Sequence, residues 1–493
     1  MSVDTYIAFP HPGNTLPPVL FPTVTFAIFF SIVLPVSWLL MPQGTRWRVF
    51  MIAASYYFYG YWNPRFVLLI IVSTFWNQIW GTVIHRVRNN RSRRYALIAA
   101  VTGDLGLLGY FKYAQFFEVS ARNALTSIGI HVNPEILRVT LPIGISFFTF
   151  QAMSYVIDIY RRQIEPVNLL DFAVYISFFP HLIAGPIVRA SEFLPQLEEK
   201  KDPRRIDAGR AFFLIISGLF KKVVLANFLA TTLVDRVFSV PELHNGKEIL
   251  FAIYGYAVQI YCDFSGYTDI AIGLALLLGF RFPQNFNAPY TAESLQDFWR
   301  RWHMTLSRWL RDYLYIPLGG NRGSENATYR NLMITMLLGG LWHGAAWTFV
   351  AWGAIHGGAL TFEQYRHHRR EARGLAPPPD TVGRRILHRV VTFHIVCFAW
   401  VFFRADTFHT AWVILTRLFV GWGSPAPLLT GGVFLAIAFG VAMQYVPGNV
   451  VDRAQIAFSR LSPVQMGIVM ALALLVIDAL GPQGVAPFIY FAF

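Results

Sequence analysis

Residues 249–280 read ILFAIYGYAVQIYCDFSGYTDIAIGLALLLGF, a run in which Asp263 and Asp269 are the charged side chains. A helix needs about 20 mostly apolar residues to cross a lipid bilayer. The run is longer than that, so we predict a membrane-spanning helix here. Charged groups inside a membrane helix are costly unless they are hydrogen-bonded or functional. We therefore expect the two aspartates to line a polar part of the protein interior.

The composition of the whole chain also indicates a membrane protein. Of its 493 residues, 55% are apolar and only 14% are charged, with a mean hydropathy of +0.44. A soluble domain carries about 25% charged residues, so this chain has too few charges to cover a water-exposed surface. The composition excludes a nucleic-acid-binding protein, a disordered chain and a secreted disulfide scaffold. It predicts an all-α, polytopic integral membrane protein.

Twelve apolar runs are candidates for membrane crossings, although one of them, 49–61, is short. They lie at 20–41, 49–61, 65–84, 95–117, 139–159, 168–189, 211–234, 249–280, 331–363, 386–403, 428–446 and 464–481. The run 331–363 is long enough for two short passes or a hairpin. We predict ten to twelve transmembrane helices in a single membrane-embedded domain, 1–493. It would comprise N-terminal helices over 19–250, a catalytic region over 251–364 and C-terminal helices over 386–493.

Positive charge is clustered between the apolar runs, as the positive-inside rule predicts for cytoplasmic loops. The net charge is +14, and basic clusters lie at 86–94, 161–162, 200–205 and 366–373. The first 45 residues contain no Lys or Arg, and residues 1–19 lack the pattern of a signal peptide. We therefore expect the N-terminus to face outward.

The apolar run 168–189 separates two of these basic clusters, and a single crossing would place one of them outside. Pro180, Gly185 and Pro186 interrupt the run and disfavour a continuous helix. We therefore predict a re-entrant element that enters the membrane and returns. Broken backbone is tolerated at that depth only beside protein or a water-filled cavity, so the prediction includes a central cavity or tunnel.

Residues 281–330 are too polar to span a membrane, but they contain three tryptophans. A single helix over 294–313 would place Trp299, Trp302 and His303 on an apolar face, with arginines on the opposite face. This pattern predicts an amphipathic helix that lies at the membrane surface or covers the mouth of a cavity.

His343 lies inside an apolar run, in the segment LLGGLWHGAAWTF at 337–349. The surrounding glycines and alanines allow helices to approach closely, and a polar side chain at that depth is costly unless it has a function. A neutral imidazole suits proton abstraction near pH 7, so we predict that His343 is a general base. The alternative is a core histidine whose ring bonds a backbone carbonyl.

Other kinds of chemistry have little support in the sequence. No HExxH motif and no Cys/His pairing with zinc spacing occurs, so we predict no metal. Cys262 and Cys397 lie in apolar runs and are expected to be free thiols. Ser265 lies between the two aspartates, but it has no GxSxG motif and no histidine near it in the sequence. No P-loop and no GxGxxG motif occurs, which leaves ATP-driven transport and dinucleotide chemistry without support.

Nine segments along nearly the whole chain form a pattern of their own. They are SYYFYGYW (55–62), SFFTFQAMSYVIDIYRR (146–162), FFPHLIAGPIVR (178–189), GLFKKVV (218–224), DFSGYTDIAIGLALLLGFRFPQNFNAPY (263–290), DFWRRWHMTLSRWLRDYLYIPLGGNR (297–322), LLGGLWHGAAW (337–347), WVFFRA (400–405) and FIYF (488–491). In this order and spacing they resemble the membrane-bound O-acyltransferases, and more narrowly the alginate O-acetyltransferase branch of that family.

The resemblance implies a multi-helix membrane fold with a central cavity, an acyl thioester donor and a hydroxyl acceptor. The family's near-invariant histidine matches His343, and a second functional histidine matches His303, which would position the donor or stabilise developing charge. Acetyl-CoA would be the donor substrate, with no bound cofactor. The resemblance further implies a bacterial inner membrane, an extracellular polysaccharide acceptor and a periplasmic or surface SGNH-type partner, and no nucleic acid.

We also expect a set of further residues to line the substrate cavity. They are Trp342, Trp302, Asp297, Asp263, Ser265, Asp269, His181 and Asn321. Asn321, with Gly319 and Gly320, could supply donors to an oxyanion. The acceptor could be alginate, another exopolysaccharide such as cellulose, peptidoglycan, or a hydroxyl on a partner protein, whereas the branch that transfers D-alanine to teichoic acids resembles this sequence less.

Two other classes of function remain open. A proton-coupled transporter or exporter would use His343 and the buried aspartates as a relay, and it would need no acyl donor. A non-catalytic scaffold of a polysaccharide secretion complex would tolerate the loss of the His343 side chain.

Overall fold

The computed structural model describes residues 21–131, 140–376 and 379–482, and every regular element in these ranges is a helix or a helical turn. The all-α prediction is confirmed for this part of the chain. Two features singled out in the sequence, the lead-in at 1–19 and the FIYF segment at 488–491, lie outside the described residues.

The chain divides into two compact units. The first comprises the described residues up to Ala211 together with Ala271–Phe282, and the second comprises Phe212–Ile270 and the described residues from Pro283 onward. The helices that lie wholly in the first unit are α1 (Val24–Leu40), α2 (Thr45–Gly60), α3 (Val67–Arg86), α4 (Asn90–Leu108), α5 (Ala114–Ser127), α6 (Ile145–Tyr160), α7 (Leu169–Ser177), α8 (Phe179–Leu182) and α9 (Ala190–Glu198). Two long helices, α10 (Ala208–Ser239) and α11 (Gly246–Leu277), have residues in both units.

The remaining helices belong to the second unit. They are α12 (Leu295–Arg301), α13 (Met304–Leu310), α14 (Glu325–His343), α15 (Trp347–Ala372), α16 (Val382–Arg404), α17 (Phe408–Arg417), α18 (Gly431–Ala442), α19 (Gly448–Ser459) and α20 (Pro463–Leu480). The apolar run 331–363 thus contains parts of two helices, α14 and α15, which pack against each other as a hairpin. Of the two arrangements open for this run, the structure has a helical hairpin.

Among the described residues, six helices are long and apolar enough to cross a membrane, or seven if the bent pair Gly431–Tyr445 and Gly448–Ser459 counts as one span. The six are Val24–Gln43, Pro64–Arg86, Ala208–Ser239, Gly246–Leu277, Val382–Arg404 and Pro463–Leu480. Each matches one of the predicted runs. The predicted total of ten to twelve is not confirmed, because runs such as 49–61 belong to helices of 16 residues, too short for this criterion.

The run 168–189 contains a broken helix. Helix α7 begins at Leu169, is capped by the Asn168 side chain, which accepts a hydrogen bond from the Asp171 amide, and ends at Ser177, before Pro180. Nine residues of helix extend about 14 Å, less than half of the roughly 30 Å hydrocarbon core. Every residue from Asp171 to Val188 is buried within the protein. The predicted break is therefore present, and re-entry into the membrane stays a prediction.

Helices α10 and α11 cross at two glycines. A Cβ atom on Gly218 would lie 2.5 Å from the carbonyl oxygen of Gly266, and a Cβ on Gly266 would lie 2.7 Å from that of Gly218. Only glycine permits this approach of two backbones. Just beyond the crossing, α10 widens into a π-helical segment, Phe220–Ala226.

The predicted single helix over 294–313 is wrong. The segment forms two short helices, α12 and α13, separated by Trp302 and by His303, whose φ of 40° is left-handed. The backbone between them bonds to another segment instead of continuing the helix: the amide of Met304 donates to the Asn285 carbonyl, and the Arg301 carbonyl accepts from the Asn287 amide. The side chains predicted for the apolar face, Trp299, Trp302 and His303, are nevertheless buried.

Candidate active site

His343 is the last residue of α14 and lies where the α14–α15 hairpin turns. The hairpin is tightly packed, since a Cβ on Gly340 would lie 2.2 Å from the Phe349 carbonyl oxygen. The His343 side chain is buried, with the residue only 3% exposed. Its ring lies 4.9 Å from the Trp352 ring and 5.1 Å from the Phe403 ring, centroid to centroid. The hairpin therefore holds this imidazole in an aromatic, water-poor environment.

His303 lies at the break between α12 and α13 and is 0% exposed. A left-handed backbone costs a residue with a side chain about 1 kcal/mol or more and is common at functional sites. The His303 ring packs edge-on against Phe264 of α11, with centroids 4.7 Å apart. The break thus places this histidine in the core, whereas a continuous helix would have placed it on the apolar face of a helix at the membrane surface or over the mouth of a cavity.

Asn285 sets the hydrogen-bonding state of His303. The Asn285 Oδ1 atom accepts hydrogen bonds from the Thr305 amide (3.2 Å) and the Thr305 hydroxyl (2.9 Å), and it lies 3.1 Å from His303 Nδ1. Because Oδ1 can only accept, Nδ1 of His303 must carry the hydrogen. In the neutral ring the lone pair then lies on Nε2.

His303 is neutral at physiological pH. It lies outside the six long apolar helices, and burial lowers its pKa to about 3. A neutral imidazole protonated at Nδ1 presents an acceptor at Nε2.

One indole connects the two predicted histidines. The Trp342 ring lies 6.0 Å from the His303 ring and 5.1 Å from the His343 ring. The structure therefore brings His303, Trp342 and His343 together. Trp302, also expected in the cavity lining, packs into the same aromatic cluster through Trp400, at a centroid distance of 5.1 Å.

A further buried histidine near His343, His356, was missed in the sequence. It lies on α15, is 0% exposed, and its ring is 4.8 Å from the Trp352 ring. Trp352 also contacts His343, so this second indole connects His343 to His356. The available signal was the spacing of four residues from Trp352 to His356, which places both side chains on one face of a helix.

Asp263 and Asp269 form ion pairs with two consecutive lysines of α10. Lys222 pairs with Asp263 and Lys221 with Asp269. Helix α11 also carries Phe264, which contacts His303. One helix therefore supplies a wall of the histidine cluster, the buried carboxylate of Asp263 and the partly exposed carboxylate of Asp269. The sequence analysis did not identify Lys221 and Lys222 as the partners of the two aspartates. Two lysines within an apolar run indicate that buried carboxylates lie nearby.

The other expected lining residues lie in different surroundings. Ser265 is buried on α11. Asp297 pairs with Arg301 at 2.8 Å and is partly exposed. Asn321 is exposed, and the amides of Gly319 and Gly320 bond to carbonyls of the preceding turn, so these two N–H groups are already used. His181 belongs to the first unit, where its Nε2 atom lies 2.8 Å from the Tyr175 carbonyl.

The two cysteines are free thiols. Cys262 on α11 and Cys397 on α16 are both buried and form no disulfide. This confirms the prediction.

Comparison with known proteins identifies the family of this chain. Residues 102–405 match the sequence profile of the membrane-bound O-acyltransferase family, MBOAT. The match covers more than half of the chain. A probable alginate O-acetylase of Pseudomonas aeruginosa is 44% identical over 399 residues, covering 80% of this chain and 74% of that protein.

Two further relatives carry other names. A peptidoglycan O-acetyltransferase of Helicobacter pylori is 39% identical over 400 residues, covering 75% of this chain and 73% of that protein. A teichoic acid D-alanyltransferase of Bacillus subtilis is 30% identical over 288 residues, covering 54% of this chain and 69% of that protein. With a family match across more than half of its length, its apolar helices and its buried histidines, this chain belongs to the membrane-bound O-acyltransferase family and is an acyltransferase.

Proposed function

We propose that the protein takes an acetyl group from a cytoplasmic thioester, acetyl-CoA, and transfers it across the membrane for O-acetylation of an extracellular polysaccharide. The relatives named as alginate and peptidoglycan O-acetylating proteins support a polysaccharide acceptor. We place the protein in the inner membrane of a bacterium as a multi-pass protein. An SGNH-type partner outside that membrane would complete transfer to the polymer.

The observation that carries this proposal is the buried arrangement of His303, Trp342 and His343. His343 is the general base. The acceptor oxygen forms a bond to the acyl carbon while its proton moves to His343. The carbon–sulfur bond then breaks, and the departing sulfur takes that proton and leaves as the thiol. A positioned base of this kind contributes about 10²- to 10⁴-fold to the rate.

His303 has a different role. Its Nδ1–H is directed to Asn285, so the neutral ring offers an acceptor at Nε2. An acceptor atom suits the hydroxyl of the incoming substrate, which donates a hydrogen bond. The same atom is unsuited to an oxyanion, which needs donors. We therefore assign His303 to orienting the acceptor hydroxyl, and the donors for the oxyanion must come from elsewhere.

The test is to measure ester-linked acetate on the surface polysaccharides of the producing bacterium. Wild type, a deletion strain and a strain carrying His343→Ala are compared, with membrane expression of the variant confirmed. His409→Ala is the matched control, because His409 is an exposed histidine on α17 of the same unit. We expect acetate to be lost in the deletion and in His343→Ala and to be retained in His409→Ala.

Other outcomes separate the alternatives. Loss in the deletion strain alone would make His343 structural and favour the scaffold. Retention of acetate in every strain would overturn acetyl transfer and favour either transfer of a different acyl group or the transporter. The depleted polymer in the expected outcome identifies the final acceptor.

A further inference from the structure

Three aromatic residues beside the predicted base form a compact cluster. Trp352 and His356 lie on α15 and Trp299 on α12, and their exposed fractions are 1%, 0% and 9%. Their ring centroids are 4.8 Å apart for Trp352 and His356, 5.2 Å for Trp299 and His356, and 5.7 Å for Trp299 and Trp352. Each ring therefore contacts the other two.

The ring nitrogens of this cluster are buried without hydrogen bonds to the described residues. The Nε1 atoms of Trp299 and Trp352 and both ring nitrogens of His356 have no hydrogen-bond partner among the described residues. Trp400, which packs against Trp352, differs because its Nε1 donates to the Tyr290 hydroxyl at 3.3 Å. Buried polar groups in native proteins are nearly always paired, because burying one unpaired costs free energy. Four such atoms on three rings that contact one another indicate a binding site for a polar ligand.

The balance of donors and acceptors restricts the ligand. Each indole nitrogen is a donor only, and a neutral imidazole contributes one donor and one acceptor. The cluster thus offers three donors and one acceptor, which suits an oxygen that accepts and does not donate. Its burial disfavours a carboxylate, whose charge would be desolvated. A neutral carbonyl group satisfies both conditions.

The position of the cluster indicates which carbonyl. Trp352 contacts His356 on one side and His343 on the other, with centroids 4.9 Å apart in the second pair. We propose that Trp352, His356 and Trp299 form the subsite that binds the carbonyl oxygen of the acyl thioester. This assignment rests on the proposed function and adds the donors that His303 does not supply. When the acceptor oxygen bonds to the acyl carbon, negative charge develops on the carbonyl oxygen, and the N–H donors stabilise it.

The test removes one N–H group and keeps the ring. Replacement of Trp352 by 3-benzothienylalanine substitutes sulfur for the N–H in a bicyclic ring of nearly the same size, and Trp352→Phe is the simpler companion variant. Labelled acetate transfer from acetyl-CoA is measured in membranes of the producing strain, which contain the natural acceptor. We expect kcat to fall about 10²-fold, the loss typical of one oxyanion donor, with KM nearly unchanged.

The control is Trp47, in the first unit. It is also buried, but its Nε1 donates to the Ser37 hydroxyl at 2.9 Å. The same benzothienyl replacement at Trp47 removes a hydrogen bond that exists within the protein, so Tm falls while kcat stays at the wild-type value. At Trp352 we expect kcat to fall and Tm to stay at the wild-type value, because the Trp352 N–H has no hydrogen-bond partner among the residues that the structure describes.

The remaining outcomes are decisive. Wild-type kcat in the Trp352 benzothienyl variant overturns the subsite and leaves acetyl transfer intact. A fall in both kcat and Tm at Trp352 overturns it as well, since that pattern belongs to a structural tryptophan. Failure of wild-type membranes to transfer acetate from acetyl-CoA overturns the proposed donor, and with it the thioester carbonyl as the ligand.

Discussion

At the scale of single residues, Asn285 controls His303 by accepting from its Nδ1–H. Replacing Asn285 by Ala removes that acceptor, so the ring can adopt either tautomer, and we expect kcat to fall by at least about tenfold. Asn285→Asp places a carboxylate beside Nδ1–H, which favours the imidazolium and raises the pKa of His303 above its value of about 3. Under the proposed role of His303 only the neutral ring orients the acceptor hydroxyl, so we expect activity in Asn285→Asp to be lost as the pH falls through this higher pKa.

The measurement is acetate transfer between pH 5 and pH 8. Thr305→Val is the control, because it removes the hydroxyl that donates to Asn285 but leaves the contact between Asn285 and His303. We expect its pH profile to match that of wild type. An unshifted profile in Asn285→Asp would show that Asn285 has only a structural role.

At the scale of elements, the α14–α15 hairpin determines where His343 lies. A Cβ on Gly340 would be 2.2 Å from the Phe349 carbonyl oxygen, so Gly340→Ala must push the two helices apart. His343, the proposed base, is three residues further along the same helix. A small displacement of a catalytic group has a large effect on rate. We expect both Tm and acetate transfer to fall in Gly340→Ala.

Gly358→Ala is the matched variant on the same hairpin. A Cβ at Gly358 meets no atom within 4 Å among the described residues. Alanine favours helix over glycine by up to about 1 kcal/mol, so this variant should keep full activity and unfold at the same or a higher temperature. Equal losses in the two variants would contradict the role of close packing at Gly340.

At the scale of the whole molecule, charge distribution predicts which loops face the cytoplasm. The positive-inside rule places the basic clusters at 161–162 and 200–205 on the same, cytoplasmic side of the membrane. The broken segment 168–189 lies between them and allows this arrangement if it is re-entrant. Glu165 and Lys200 are exposed residues near these clusters, and the two native cysteines are buried. We expect Glu165→Cys and Lys200→Cys both to resist a membrane-impermeant maleimide in intact spheroplasts and to react after permeabilisation. Labelling of only one in intact spheroplasts would mean that 168–189 crosses the membrane once.

The sequence determined the class of the molecule and singled out His343, the proposed base. Hydropathy is a property of contiguous residues, so the six long apolar helices follow from local composition. His343 was identified because a polar side chain in an apolar, glycine-rich run is conspicuous without any knowledge of its neighbours. The order of the motifs also indicated the family.

Only the tertiary structure decided how the site is assembled. The helix over 294–313 breaks because its backbone bonds to residues 285–287, and a periodic pattern contains no information about such a distant partner. The pairing of Lys222 with Asp263 and the contact of His356 with Trp299 likewise join residues 41 and 57 positions apart. Local periodicity decides which face of an element is apolar. Which side chains meet across that face depends on packing between elements, and this is settled only when the whole chain has folded.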